Sequence, residues 1–213
     1  MRCDETPGAP LTPYFTEFVE GRRGEILDAA LAVFAAKSYE GGTMREIAAE
    51  LGVTEPALYR HYAGKEALFA DLVAVAGDRI VTAASAVIDG LDPARVRKSL
   101  LGLIGARRDH APSEAAVKSV MRMLFTAAPH NDAFRQVVRA HLAGPMLERL
   151  REFVPRVDAY YGIERTPEDT TRSLRIFMSL LVGYVMTGMM LDVPDDDEGV
   201  ADAVVSVMGW DGS

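Results

Sequence analysis

Residues 41–69 read GGTMREIAAELGVTEPALYRHYAGKEALF. Two short helix-patterned segments meet at Gly52. Thr43 precedes the first, and Glu46 stands three residues on, the spacing at which hydroxyl and carboxylate cap each other's backbone amides. Ile47, Ala48 and Leu51 mark its inner face. Thr54 opens the second segment, its hydroxyl expected on a free amide, with Pro56 tolerated in the first turn. Leu58 and Tyr62 lie on one side of this segment, Arg60 and His61 towards the other. A small residue at the crossing, a glycine in the turn and an apolar plug beneath is the spacing of a helix-turn-helix. The outer residues include Thr, Tyr, Arg, His and Lys, more chemistry than a structural helix pair needs.

Working outward, the chain has 213 residues, 49% of them hydrophobic, enough to bury a sizeable core as one large domain or two smaller ones. Aromatics are few and β-branched residues do not alternate, so the composition predicts an all-α fold. Cys3 is the single cysteine. It excludes an internal disulfide and fits a reducing cytoplasm. The first residues, MRCDETPGAP, have no apolar run and predict no signal peptide. The net charge of −8 opposes a broad attraction to polyanions. Seven of the 23 Lys and Arg and eleven of the 31 Asp and Glu fall in residues 1–70, so this part is no basic domain either. Any contact with nucleic acid must come from a local, shaped surface.

Residues 1–20 hold three prolines and little periodicity, which predicts a flexible N-terminal arm. From Arg22 to Ser38, Ile26, Leu27, Ala30, Val33 and Phe34 recur at helical spacing, and Gly41 and Gly42 end that helix. A long helix is expected from Lys65 to about Ile88, and Asp92 with Pro93 opens another carrying Val96, Leu100, Leu103 and Ile104. Ser113 or Glu114 begins the next. Asn131 caps a further helix with a kink expected at Gly144 and Pro145 and an end at Phe153, before Pro155. Residues 156–165 read as irregular. Thr166, Pro167 and Asp169 open a helix that is apolar nearly all round as far as Leu191, and an acidic start at Asp195 to Glu198 opens the last.

The segment TMREIAAELGVTEPALYRHYAGKEALF, preceded by ILDAALAVFAAKSYEGG, resembles the N-terminal DNA-binding domain of the TetR family of transcriptional regulators over about residues 22–72. The resemblance implies an arm over 1–20, a helix-turn-helix domain over 21–66, and a ligand-binding and dimerisation domain over 67–213. It further implies that Glu55, Pro56 and Tyr59 face the major groove and that Arg45 reaches a base, while Ala57, Arg60, His61 and Lys65 follow the phosphate backbone. Thr43 and Thr54 offer hydroxyls, and the amide dipole of the helix starting at Thr43 points at a phosphate. Glu55 is the odd member, because a carboxylate near DNA repels unless a cytosine amino group donates to it.

The same resemblance implies that the helices over 93–155 enclose a pocket for a small apolar or amphipathic effector. Met121, Met123, Leu124, Phe125, His141, Leu142, Phe177 and Tyr184 are the candidates to line it. A nearly all-apolar helix must be covered on every side. As Ile176 to Leu191 gives only about 24 Å of uncharged helix against a hydrocarbon core of roughly 30 Å, no membrane span is expected. Two helices from each of two chains would cover it instead. That is the arrangement the resemblance implies, so a homodimer is expected, and it suits a palindromic operator in double-stranded DNA.

His110, His130 and His141 have no metal spacing, so neither a metal nor a cofactor is expected. No phosphate-binding loop is present, since GLIG at 102–105 lacks the lysine, and neither a His-Glu-x-x-His nor a Gly-x-Ser-x-Gly motif occurs. No catalytic residue is assigned and the chain is expected not to be an enzyme. The expected function is a ligand-responsive regulator, a repressor released from its operator by the effector. The alternative is a helical small-molecule-binding dimer without specific DNA binding, the reading the acidic arm and Glu55 favour.

Overall fold

The computed structural model describes residues 13–109, 132–191 and 196–211, and every regular element among them is helical. In chain order these are α1 (Arg22–Gly41), α2 (Met44–Glu50), α3 (Glu55–Tyr59), α4 (Lys65–Asp89), α5 (Val96–Asp109), α6 (Asp132–Val138), α7 (Gly144–Tyr161), α8 (Pro167–Leu191) and α9 (Asp197–Met208). Short 3-10 turns cover Phe15–Glu17 and Pro93–Arg95, and a π-helical turn covers Arg139–Ala143. The described residues fall into two compact units, one of 13–76 with 132–138, the other of 77–109 with 139–191 and 196–211.

The first unit is built on α1, which buries Ile26, Leu27, Ala30, Leu31 and Phe34 along one stripe. From α4 come Leu68, Phe69, Leu72, Val73 and Ala76, all buried. This stretch of α4 belongs to the first core, and the first unit runs to Ala76. Phe69 meets Phe34 edge-on at 5.2 Å and Phe134 of α6 at 4.7 Å. Each fully buried aromatic or leucine contributes about 1.5–3 kcal/mol of apolar transfer, so this core dwarfs any single polar tie on its surface.

Of the stretch 1–20 expected as an arm, residues 14–16 are held on α1. Tyr14 and Phe15 are buried, and the carboxylate of Asp28 on α1 accepts from the amides of Tyr14, Phe15 and Thr16 at 2.7–3.0 Å and from the Thr16 hydroxyl at 2.8 Å. Three prolines hid this turn, whose apolar residues are adjacent rather than periodic. At the other end of α1, Ser38 takes φ 63° and ψ 171°. That conformation costs a non-glycine residue on the order of 1–3 kcal/mol. It divides the regular helix from a last turn at Tyr39–Gly41.

In the second unit, Leu100 and Ile104 of α5, Leu150, Phe153, Val154 and Val157 of α7, Leu174 and Phe177 of α8, and Val204 and Met208 of α9 share one core with Trp210. Two expectations about α7 need correction. The disturbance at Gly144 and Pro145 is a widened turn over Arg139–Ala143, because Pro145 has no N–H for the carbonyl four residues back and a π turn accommodates its ring. Pro155 does not end the helix, which continues to Tyr161. The proline lies on the exposed face together with Arg151, whose carbonyl it leaves without an amide, while Leu150, Phe153, Val154 and Val157 hold the opposite face in the core.

Asp158 is the buried polar residue of this helix, 5% exposed. Its carboxylate accepts from the Trp210 indole N–H at 2.8 Å and from Arg165 Nε at 2.9 Å. Arg165 also donates to Ser173 Oγ at 3.2 Å and to the Met208 carbonyl. This network joins the ends of α7 and α9 to the start of α8. No helix among the described residues is long and apolar enough to cross a membrane.

Candidate nucleic-acid interface

The helix-turn-helix is assembled from α2, α3 and the turn between them. The capping box forms as the spacing predicts: Thr43 Oγ1 accepts from the Glu46 amide at 3.3 Å, and the Glu46 carboxylate accepts from the Thr43 amide at 3.0 Å. Lys37 of α1 holds the same carboxylate at 2.5 Å. That cation first, and the Thr43 donors second, keep Glu46 below the ordinary carboxylate range.

Gly52 closes α2 with φ 71°. Its amide bonds to Ala49 O at 3.1 Å, and the Val53 amide reaches back to Ala48 O at 2.9 Å. This paired closure requires a left-handed residue, so glycine belongs there. The chain is thereby aimed into α3. Thr54 differs from expectation, for its side chain caps no amide. A cap serves the second or third amide of a helix; Pro56 stands in the second place without an N–H, and the third amide, of Ala57, donates to the Thr54 carbonyl at 2.9 Å. The hydroxyl of Thr54 is left exposed to solvent.

Leu58 plugs the pair from beneath, with Ile47 and Ala48 buried beside it and Leu51 half-buried. Outward stand Arg45, Pro56, Tyr59, Arg60 and His61, all exposed, with Tyr59 at 48%. Glu55 and Ala57 are half-buried. Arg45, Arg60 and His61 make no hydrogen bond or ion pair with the described residues, so their donors face solvent. The Thr43 hydroxyl is engaged in the cap, accepting from Glu46 N and donating to its carboxylate at 2.8 Å. Lys65 is engaged more fully: its ammonium donates to the carbonyls of Tyr39 at 2.8 Å, Glu40 at 3.3 Å and Gly42 at 3.1 Å, and lies 4.5 Å from the centre of the Tyr39 ring.

A second tie, not anticipated from the sequence, fixes the exit of α3. The Tyr62 hydroxyl donates to Asp71 Oδ2 at 2.6 Å, and Arg23 grips the same carboxylate at 3.0 Å and 2.5 Å. Burial pushes Tyr62 well above the usual phenol range, and the Asp71 carboxylate adds to it. Burial also pushes Asp71 upward, but Arg23 and Tyr62 outweigh it and hold Asp71 below its ordinary value. The available signal was an aspartate set among Leu68, Phe69, Leu72 and Val73 on α4. A carboxylate in such a run needs a partner.

The pocket candidates are less united. Met121, Met123, Leu124 and Phe125 lie outside the described residues. Phe177 is fully buried in the core of the second unit, and Tyr184 packs partly buried against that core while donating to the Asp197 carboxylate. His141 and Leu142 belong to the π turn, where His141 Nδ1 is 3.0 Å from Asp78 Oδ1. No cluster of three or more His, Cys, Asp or Glu suited to a metal lies among the described residues.

Residues 26–72 match the model of bacterial regulatory proteins of the tetR family. Among curated proteins, the HTH-type transcriptional repressor KstR2 of Mycobacterium tuberculosis is 40% identical over 55 residues, 26% of this chain and 28% of that protein. The HTH-type transcriptional activator FasR of Mycolicibacterium smegmatis is 44% identical over 48 residues, 22% of each chain. The chain thus spans less than a third of the length of these relatives. The solved structure of the regulator FadR from Bacillus subtilis, in complex with stearoyl-CoA, is 18% identical with a TM-score of 0.70, covering 89% of this chain and 98% of that one, a likeness of fold. The matched proteins are regulators, not enzymes. With its helix-turn-helix and these matches, residues 26–72 of the chain are similar to the tetR family of bacterial regulatory proteins, and the fold over most of the chain is like that of FadR.

Proposed function

We propose that this protein is a ligand-responsive transcriptional repressor that binds a palindromic operator as a homodimer and is released by a small apolar or amphipathic effector. One observation carries the reading: Arg45, Tyr59, Arg60 and His61 stand exposed on two short helices whose relative pose is fixed by a cap, a glycine closure and a buried leucine. Rigid presentation of unspent donors is what base and phosphate contacts require. In this proposal Glu55, Pro56 and Tyr59 enter the major groove with Arg45. Thr43, Thr54, Ala57, Arg60 and His61 follow the backbone. Residues 21–66 are the DNA-binding part and 67–213 the part for effector and dimer. Repression needs only occlusion of a promoter, with no further contact surface, and the site of action is the cytoplasm.

Dimerisation is supported by α8 and α9, on which Ile176, Val182 and Val207 are 39%, 36% and 51% exposed. Between them Ser179 and Thr187 turn their hydroxyls onto the helix's own carbonyls at 2.8 Å and 2.9 Å. That leaves a face of methyl and methylene groups for a partner. An amphipathic effector is supported by the FadR fold, which in its solved structure holds stearoyl-CoA.

Selection of duplexes from a random library by the purified protein tests the proposal. Enrichment of one palindrome is expected. Absence of enrichment even at low salt would favour the second reading, a helical small-molecule-binding dimer without specific DNA binding, which the net charge of −8 supports.

A further inference from the structure

The lysine at the start of α4 is the residue whose surroundings depart furthest from what its place in the motif suggests. An ammonium group has three N–H bonds. Lys65 directs its own at three main-chain oxygens, those of Tyr39, Glu40 and Gly42, and its charge lies over the Tyr39 ring. Two of these are terminal carbonyls of α1, which no helical amide can satisfy. The third belongs to Gly42, the peptide that leads directly into Thr43, the cap of α2.

The link they span is tightly determined on its other sides. Ser38 sits in the left-handed φ region, its carbonyl accepting from the Gly42 amide at 3.1 Å. Gly42 is pressed on Phe34, where even a Cβ would come within 2.8 Å of the ring. Lys37 holds Glu46, the third member of α2, at 2.5 Å. Lys65 therefore closes a junction through which α1 sets the direction of α2 and of Arg45 upon it.

We infer that Lys65 is a positioning residue that acts on DNA through the pose of α2 and Arg45, and not a phosphate ligand. The inference rests on the regulator reading above. A cation that neutralises a phosphate releases counterions, whereas one that holds main-chain carbonyls does not, so the salt dependence of binding separates the two roles.

The experiment measures affinity for the selected duplex against salt concentration, with wild type, Lys65→Met, Arg45→Ala and the double variant, each confirmed folded by circular dichroism at the working temperature. Lys65→Met is expected to weaken binding about tenfold, the scale of one good base contact, with the slope of log affinity against log salt unchanged. In the Arg45→Ala background most of that loss should vanish. A slope reduced by about one would make Lys65 a phosphate ligand, and unchanged affinity in folded protein would make it a brace without effect on DNA. Either result overturns the inference. Should Lys65→Met not fold, Lys65→Arg serves, because its planar fork keeps the charge but not the three-carbonyl geometry. Positioning expects it to bind as weakly as the methionine variant was expected to, and near-normal binding would defeat it. Failure of wild type to bind any duplex would instead remove the regulator reading itself.

Discussion

At the scale of single residues, the interface divides into side chains that face solvent and side chains that hold those in place. Tyr59 belongs to the first kind, exposed at 48% with Leu58 buried directly behind it. Tyr59→Ala removes no core packing and should leave thermal unfolding within about 0.5 kcal/mol of wild type. Its affinity for the selected duplex should fall by roughly 1–3 kcal/mol while random duplex is bound as before. Equal loss on both duplexes would move Tyr59 from base contact to backbone contact. Asp71 belongs to the second kind. Its carboxyl is held below the ordinary value against the pull of burial, so its contribution is present above the unfolded value of about 4 and is lost as pH falls through that range. Asp71→Asn should therefore cost about 1 kcal/mol at pH 7, modest because Arg23 is half exposed and screened. The gap between the two unfolding midpoints should close as pH drops below about 4. A gap that persisted there would trace the loss to packing instead of charge.

At the scale of elements, the fold was legible where periodicity and caps agree, and obscure where burial overrules a local rule. The capping box at Thr43 and the glycine at 52 stand where the sequence reading sets them, because both depend on residue type at fixed offsets. Thr54 misled because Pro56 takes away one of the two amides a cap can serve, and the other, that of Ala57, donates to the Thr54 carbonyl instead. Pro155 misled because a helix rule yields when four apolar neighbours are buried. The tie from Asp71 to Tyr62 and Arg23, and the clip of Lys65 on α1, link residues 9 to 48 positions apart, and no periodic pattern records such distances. The same holds for Asp158, which joins Trp210 from 52 positions away. Removing that carboxylate leaves the largely buried Arg165 without its counter-charge, a change that costs about 3–5 kcal/mol in comparable pairs. Asp158→Ala should lower the unfolding midpoint accordingly and free the chain's single tryptophan, seen as a red-shifted, more quenchable emission. Unaltered tryptophan emission would mean that Phe153, 5.7 Å away, and the surrounding core hold the indole without the carboxylate.

At the scale of the whole molecule, an acidic chain can bind DNA only if geometry supplies what net charge withholds. In the proposed function two copies do so by placing paired helices at the spacing of a palindrome, which would multiply a modest local affinity by connection. The dimer is thus a condition of the proposed function. Its proposed seat is the outer face of α8, where Ile176 and Val182 are exposed and the hydroxyls of Ser179 and Thr187 are satisfied by the helix's own carbonyls. A carboxylate introduced at Val182 would be buried without a partner in the dimer yet hydrated in the monomer, so the substitution acts on association and spares the fold. Val182→Asp should sediment as a folded monomer with an unchanged helical spectrum. Binding to the full palindrome should drop towards that for a half-site, while a half-site duplex is bound as by wild type. A dimer of normal stability would move the interface to another face and with it the predicted spacing of the recognition helices. A monomer that still bound the palindrome at full affinity would instead show that pairing of the chains contributes nothing to recognition.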